Sequence, residues 1–296
     1  MQGSTRALGS TRDRSLFRPV AHGFAASALA ALVLSGCTRP DAEAPAVTQS
    51  PLPVEEASPE VPVRCESLSP AQCAEAAIRD LVRTDSGREA LAEELEYGCA
   101  GDVADACFEL GRMHRMGRGI EVNDTLALRF YERACALNVG DACQTAGLAI
   151  GRGADPERGE VDARAIFANG CALGSAAACF SAGTMMRDAT GGERDSEAAF
   201  AAFDNGCTLG DRQACADFGR MLLAGNGVEP DLERGATALS GACNASDFGA
   251  CAEYAELLRD GVGVEANAAL AVELATAACR AGVTAACTFE PVSLTR

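Results

Sequence analysis

Cysteine is the residue type that most strongly suggests chemistry in this 296-residue chain, which contains fifteen of them. Fourteen of these cysteines form seven pairs, and the two members of every pair are eight positions apart. The pairs are Cys65 and Cys73, Cys99 and Cys107, Cys135 and Cys143, Cys171 and Cys179, Cys207 and Cys215, Cys243 and Cys251, and Cys279 and Cys287. Cysteines at a fixed spacing form disulfides, hold metals or exchange thiols, so these three chemistries are the candidates.

The eight-residue spacing sets a condition on the backbone between the two cysteines. Residues i and i+8 of one helix are about 12 Å apart, at about 1.5 Å per residue, whereas a disulfide needs Cα atoms within about 7 Å. The chain must therefore turn back between bonded cysteines. Helix-end residues such as Asn138 and Gly140 lie between Cys135 and Cys143. We expect the first cysteine of a pair to end one helix and the second to begin the next.

The other two cysteine chemistries fit the sequence less well. Zinc sites use closer pairs, and the chain has two histidines, His22 and His114. Exchange-active cysteines usually stand in a Cys-x2-Cys motif, which the sequence lacks. The export signal described below also favours disulfides, because they form outside the reducing cytoplasm.

The elements that position the cysteines repeat along the chain. From Cys99 onward successive pairs are 36 residues apart, which predicts stacked supersecondary units. Counting from the second cysteine of each pair, position +4 is glycine in four units and alanine in the fifth. Because glycine is unfavourable inside a helix, we expect the backbone of a packed helix to approach closely there. These residues are Gly111, Gly147, Gly183, Gly219 and Ala255.

Turn glycines separate two helices in each unit. The glycine pairs are Gly117 and Gly119, Gly151 and Gly153, Gly225 and Gly227, and Gly261 and Gly263. Residues 188–192, Asp-Ala-Thr-Gly-Gly, blur this turn in the unit that begins at Cys179. The last unit is cut to one helix start and is expected to act as a cap.

Two segments of one unit carry a family resemblance. The segments Leu110-Gly111-Arg-Met113-x3-Gly117-x-Gly119 and Asp124-x2-Ala127-x2-Phe130-Tyr131 closely resemble the Sel1-like repeat, a relative of the tetratricopeptide unit. With one cysteine pair per unit, residues 65–290 resemble the cysteine-rich subfamily typified by Helicobacter cysteine-rich proteins. The resemblance implies an all-α fold, an α/α solenoid bridged within or between successive hairpins. It also implies a scaffold for an unidentified protein or peptide partner.

The composition excludes several enzyme classes. All 25 basic residues are arginine, so the lysine-dependent Ser-x-x-Lys and P-loop chemistries are impossible. A net charge of −17 argues against nucleic-acid binding. His114 lies at an otherwise apolar helix position, and we interpret it as a packing residue. No catalytic, cofactor-binding or metal-binding residue is predicted. Because some cysteine-rich Sel1 proteins carry a β-lactamase label, a β-lactamase-like or penicillin- or muropeptide-binding activity is the alternative function.

The N-terminus has the pattern of a bacterial lipoprotein signal. An arginine-rich start precedes the apolar run Phe24–Leu34, and Leu34-Ser35-Gly36-Cys37 resembles a lipobox, which predicts lipidation of Cys37. Thr38 is not acidic, which favours sorting to the outer membrane, facing the periplasm or the cell surface. We therefore expect four segments. They are a signal peptide (1–36), a lipidated proline-rich tether (37–62), the repeat solenoid (63–290) and a C-terminal tail (291–296).

Five arginines are candidate binding groups on the helices that follow the second cysteines. Arg112 and Arg220 stand at position +5, and Arg115, Arg187 and Arg259 stand at position +8. They are placed to bind an acidic peptide or cell-wall carboxylates. The simpler interpretation is that they form a solvated surface and balance the chain's own acids.

Overall fold

The computed structural model describes residues 60–83 and 87–290, and all regular secondary structure in those ranges is helical. The α-helices are Pro70–Arg83 (α1), Arg88–Ala100 (α2), Ala104–Met116 (α3), Asp124–Ala136 (α4), Gly140–Gly151 (α5), Glu160–Ala172 (α6), Ala176–Arg187 (α7), Ser196–Thr208 (α8), Arg212–Ala224 (α9), Leu232–Asn244 (α10), Phe248–Asp260 (α11) and Ala268–Arg280 (α12). Short 3-10 helices, Val63–Cys65 and Thr284–Thr288, flank them. The predicted export signal, with Cys37, lies outside the described residues.

The helices form six antiparallel hairpins that stack along the chain. We call the odd-numbered helices A helices and the even-numbered ones B helices, so that each hairpin is an A helix followed by a B helix. Every helix packs on the next one. Pairs of A helices from neighbouring hairpins also contact each other, among them α1 with α3, α5 with α7 and α7 with α9. The predicted all-α solenoid is therefore confirmed. None of the helices in the described ranges is long and apolar enough to cross a membrane.

Side-chain caps fix where most B helices begin. The caps Asn123, Asp195, Asp231 and Asn267 each accept a hydrogen bond from the backbone N–H three residues later. Such a cap satisfies an N–H group that the helix itself leaves unpaired. Gly159 replaces it before α6, where the backbone N–H of Gly159 instead donates to Asp162 Oδ2 at 3.1 Å.

The turn between the A and B helices differs from the sequence prediction in two units. Ala189 and Gly191 adopt the two left-handed conformations that Gly117 and Gly119 adopt in their own unit. The turn that we interpreted as blurred is therefore regular. The departure lies one unit earlier, where Gly153 takes the first left-handed position and Asp155 stands at the second. One left-handed residue is enough to end a helix, and alanine can adopt that conformation at a cost. The positions of the glycines alone therefore aligned the turns of these two units incorrectly.

Each disulfide ties the end of a helix to the start of the next. The first cysteine is the penultimate residue of a B helix and the second is the fourth residue of an A helix, as with Cys135 in α4 and Cys143 in α5. All seven predicted pairs are bonded in this way or through a terminal 3-10 helix, with Cα atoms 4.3–5.4 Å apart. The five bridges that link a B helix to the following A helix, from α2–α3 to α10–α11, therefore join successive hairpins.

A left-handed residue reverses the chain inside six of the bridged loops. It lies three positions after the first cysteine in each. These residues are Asp102, Asn138, Gly174, Gly210, Ser246 and Gly282. This conformation makes possible the reversal that the eight-residue spacing demands.

The hairpin core depends on one matched pair of residues. The glycine at +4 of each A helix faces the residue at +24 on the following B helix. A Cβ atom added to Gly147 would lie 2.5 Å from Phe167 Cε1, and one added to Gly183 would lie 2.8 Å from Phe203 Cε1. In the fifth unit both partners are alanine, Ala255 and Ala275 in α11 and α12. The helices do pack closely at these glycines, but the prediction of a backbone neighbour is wrong for Gly147 and Gly183, where an aromatic side chain fills the space that a Cβ would take.

Candidate functional site: the A-helix face

The A helices present a row of polar and charged side chains. We define the A-helix face as the residues at positions +2, +5 and +8 of each A helix, which include all five candidate arginines. These positions of neighbouring hairpins meet where A helices contact one another, as α1 does with α3, α5 with α7 and α7 with α9. The pairing of the arginines therefore decides what this face can bind.

A chain of ion pairs crosses the face from α7 to α11. Asp217 in α9 accepts from Arg187 at 3.0 Å and from Arg220 at 2.6 Å. Arg220 also donates to both carboxylate oxygens of Glu253 in α11, at 2.8–3.0 Å. These carboxylates hold the pKa of Arg220 above its usual range, mainly through the hydrogen bond to Glu253. In this half of the face, the structure supports the interpretation that the chain's own acids balance the arginines.

Arg259, at the C-terminal end of the face, is also paired within the chain. Its Nε atom lies 2.7 Å from Asp260 Oδ1, and its guanidinium group stacks over the ring of Phe289 at 5.3 Å. The side-chain hydrogen bond from Arg259 lowers the pKa of Asp260. Arg259 therefore stabilises the terminal cap.

The N-terminal half of the face has a different character. Arg112 in α3 pairs with Glu109 on its own helix at 2.8 Å, and no ion pair in the described residues involves Arg115. At +5 of the next A helix stands Leu148, whose exposed fraction is 44%. This half is apolar and cationic, in contrast to the internally neutralised C-terminal half.

His114 has the surroundings of a packing residue. Its ring is half-buried and stacks on Phe130, with centroids 5.5 Å apart and planes 8° from parallel. Burial lowers its pKa, which favours the neutral imidazole. Its Nδ1 atom is buried and has no hydrogen-bond partner in the described part of the chain.

A buried carboxylate near the first disulfide was not anticipated from the sequence. Glu94 in α2 is 2% exposed and lies 3.3 Å from Arg64 Nη1. Burial raises its pKa, and the positive charge of Arg64 opposes that shift. Glu94 also lies close to Cys65 and Cys73, a combination that resembles a metal-ligand set. Those two sulfurs are bonded to each other, so they are not available as the thiolates that bind metals.

Comparison with known proteins agrees with this geometry. The hairpins define a disulfide-bridged α/α solenoid. Residues 104–139, 212–237 and 249–283 match the Sel1 repeat family. The chain therefore carries Sel1 repeats, as its sequence motifs predicted.

Solved structures with Sel1-type folds are similar to this chain. A Sel1 repeat protein from Oxalobacter formigenes is 21% identical, with a TM-score of 0.62 over 72% of this chain and 84% of that one. The protective antigen c5321 of uropathogenic Escherichia coli, described as having an SLR fold, is 18% identical, with a TM-score of 0.66 over 78% of this chain and 50% of that one. At these identities the similarity establishes the fold.

A third similar structure is cysteine rich protein B of Helicobacter pylori. It is 22% identical over 44% of this chain and 93% of that one, with a TM-score of 0.37. No curated protein sequence gives a significant match. The disulfide present in each repeat makes this chain a cysteine-rich type of Sel1 protein.

Proposed function

We propose that this chain is a lipid-anchored scaffold that mediates protein–protein interaction in the bacterial cell envelope. The observation that carries the proposal is a disulfide at every junction of a Sel1-type solenoid. Such bonds persist outside the cytoplasm, so they indicate an extracytoplasmic protein. Stacked helical repeats commonly bind proteins on an extended surface, which needs no catalytic group.

The anchor is the part of the proposal that rests on the sequence alone. We expect Cys37→Ser to move the protein from the membrane fraction to the soluble periplasmic fraction, because a serine accepts no thioether-linked lipid. Fractionation of cells followed by immunoblotting measures this shift. Thr38→Asp is the matched control, and we expect it to keep the membrane association. Unchanged membrane association of the Cys37 variant would contradict the anchor.

The interaction surface is tested by one pair of leucine variants. We expect Leu148→Asp on the A-helix face to abolish the crosslinked partner bands that the wild-type protein gives in native envelopes, because it places a negative charge in an apolar contact. Leu209→Asp is the control, since Leu209 is similarly exposed at 48% but lies in a junction loop outside this face. Loss of the same bands in both variants, or in neither, would contradict the assignment of this face.

A further inference from the structure

A cleft of about 280 Å³ opens at the N-terminal end of the A-helix face, where α1, α2 and α3 meet. One wall is apolar and consists of Ile78 and Leu81, which are partly buried, with Met113 beneath them at 2% exposure. Val82 forms part of the rim and is 86% exposed. The cleft is thus an apolar surface that remains open to solvent.

The rest of the cleft carries an excess of positive charge. Among the described residues, Arg112 and Arg118 line it together with one carboxylate, that of Glu109. Arg88 also lines the cleft but has a partner of its own, so its charge is not counted here. Glu109 is already paired with Arg112 at 2.8 Å. Arg118 is exposed and forms no ion pair with any residue in 60–83 or 87–290. The local charge is opposite in sign to the net charge of −17 of the whole chain.

The fold brings these arginines together at a defined place. Gly119 has a positive φ of 80°, and a Cβ atom on it would overlap the side chain and backbone of Arg88. The turn after α3 can therefore pack on the first residue of α2, which places Arg118 next to the cleft. The corresponding place in the C-terminal half, between α9 and α11, is occupied by the ion pair between Arg220 and Glu253. Between α1 and α3 the residue corresponding to Arg220 is Ile78, so this gap is not closed by an ion pair.

We propose that this cleft binds an acidic segment of a partner protein, in which carboxylate side chains alternate with aliphatic ones. Carboxylates accept hydrogen bonds from Arg112 and Arg118, and an aliphatic side chain covers Val82 and Leu81. Guanidinium groups bind carboxylates with charge-assisted hydrogen bonds. The volume is slightly below the ~300–1,000 Å³ of small-molecule sites, which suits one or two side chains of a longer ligand. The proposal rests on the scaffold function and names the chemistry of the partner.

The test uses a fluorescein-labelled synthetic peptide of alternating leucine and glutamate, titrated with the oxidised full-length protein and followed by fluorescence anisotropy. We expect saturable binding that weakens with rising salt, because charged contacts at a surface are screened. A peptide in which glutamine replaces every glutamate should bind at least about tenfold more weakly, since it lacks the charges that Arg112 and Arg118 pair with.

Variants locate the binding in the cleft. We expect Arg118→Glu and Val82→Asp each to weaken the peptide by about tenfold or more, since each places a carboxylate against the peptide's own acids. Arg212→Glu is the matched control, because Arg212 is an exposed arginine at the start of α9, outside the cleft. This variant should bind within about twofold of the wild type, as a distant surface charge is largely screened. Circular dichroism of each variant checks that it is folded.

Three outcomes would overturn the inference. They are equal binding of the glutamine peptide, equal weakening by Arg118→Glu and Arg212→Glu, and displacement of the peptide by inorganic phosphate at matched concentration. The last would assign the cleft to phosphoryl ligands. Any of these outcomes would leave the scaffold function standing if crosslinking still depends on Leu148.

Discussion

Reduction of the seven disulfides should unfold the solenoid at 25 °C in the absence of denaturant. Each bridge closes a loop of nine residues counted with its cysteines, and loop-closure entropy assigns such a loop about 2.5 kcal/mol of stability. Seven contributions of this size exceed the ~5–15 kcal/mol by which a typical domain is stable. The core offers little compensation, because its buried side chains are largely alanine.

The measurement is far-UV circular dichroism after treatment with a phosphine reductant, with the oxidised protein as reference. Two double variants separate the contributions of individual bridges. Replacing Cys171 and Cys179 with alanine breaks a central junction and should cost about 2.5 kcal/mol. Replacing Cys279 and Cys287 should cost less, because no hairpin of the described ranges, 60–83 and 87–290, lies beyond that bridge and Cys287 is already exposed. Full helicity and cooperative unfolding of the reduced protein would show that hydrophobic packing alone holds the repeats together.

Phe167→Ala should destabilise the protein by about 3–5 kcal/mol, the usual cost of removing a buried aromatic side chain. Phe167 is 6% exposed and fills the space left by Gly147. Gly147→Ala in the wild type should cost about 1–3 kcal/mol through overlap with the phenyl ring. In the Phe167→Ala background the same change should stabilise by up to about 1 kcal/mol, because alanine is the better helix former and the ring is gone.

Urea denaturation of the four proteins in this cycle gives the coupling between the two residues. The sixth hairpin, α11 with α12, is a natural precedent for the double variant, since it has Ala255 and Ala275 at the same two positions. Gly151→Ala is the control, because no atom lies within 4 Å of the Cβ it would add. It should therefore be neutral or stabilising. An equal cost of Gly147→Ala in both backgrounds would refute the pairing.

Much of this architecture could be predicted from the sequence because the constraints are local and periodic. The eight-residue cysteine spacing requires a chain reversal, and the structure provides it with left-handed residues such as Asn138 and Gly174. The glycine at +4 likewise predicted a close contact. Its partner could have been found from the size of the residue at +24. That residue is large where +4 is glycine (Tyr131, Phe167, Phe203 or Leu239) and small, Ala275, where +4 is alanine.

The features that sequence reasoning missed depend on how one hairpin sits on the next. Arg187 and Asp217 are 30 positions apart and meet only because α7 contacts α9. No local pattern distinguishes these paired arginines from Arg118, which is unpaired in the described ranges. The turn in the second unit was misaligned because residue type does not give conformation. Gly151 matched the motif by residue type, whereas Gly153 matched it by conformation.

The placement of each disulfide also bears on how such a protein changes its length in evolution. Both cysteines of a bond lie within nine consecutive residues, and the bonds recur every 36 residues from Cys99 to Cys287. A duplication or deletion of 36 residues whose ends fall outside a bridged loop therefore adds or removes two cysteines that are already mutual partners. The number of hairpins can change in this way without leaving an odd thiol to crosslink with other proteins or to divert the existing bonds.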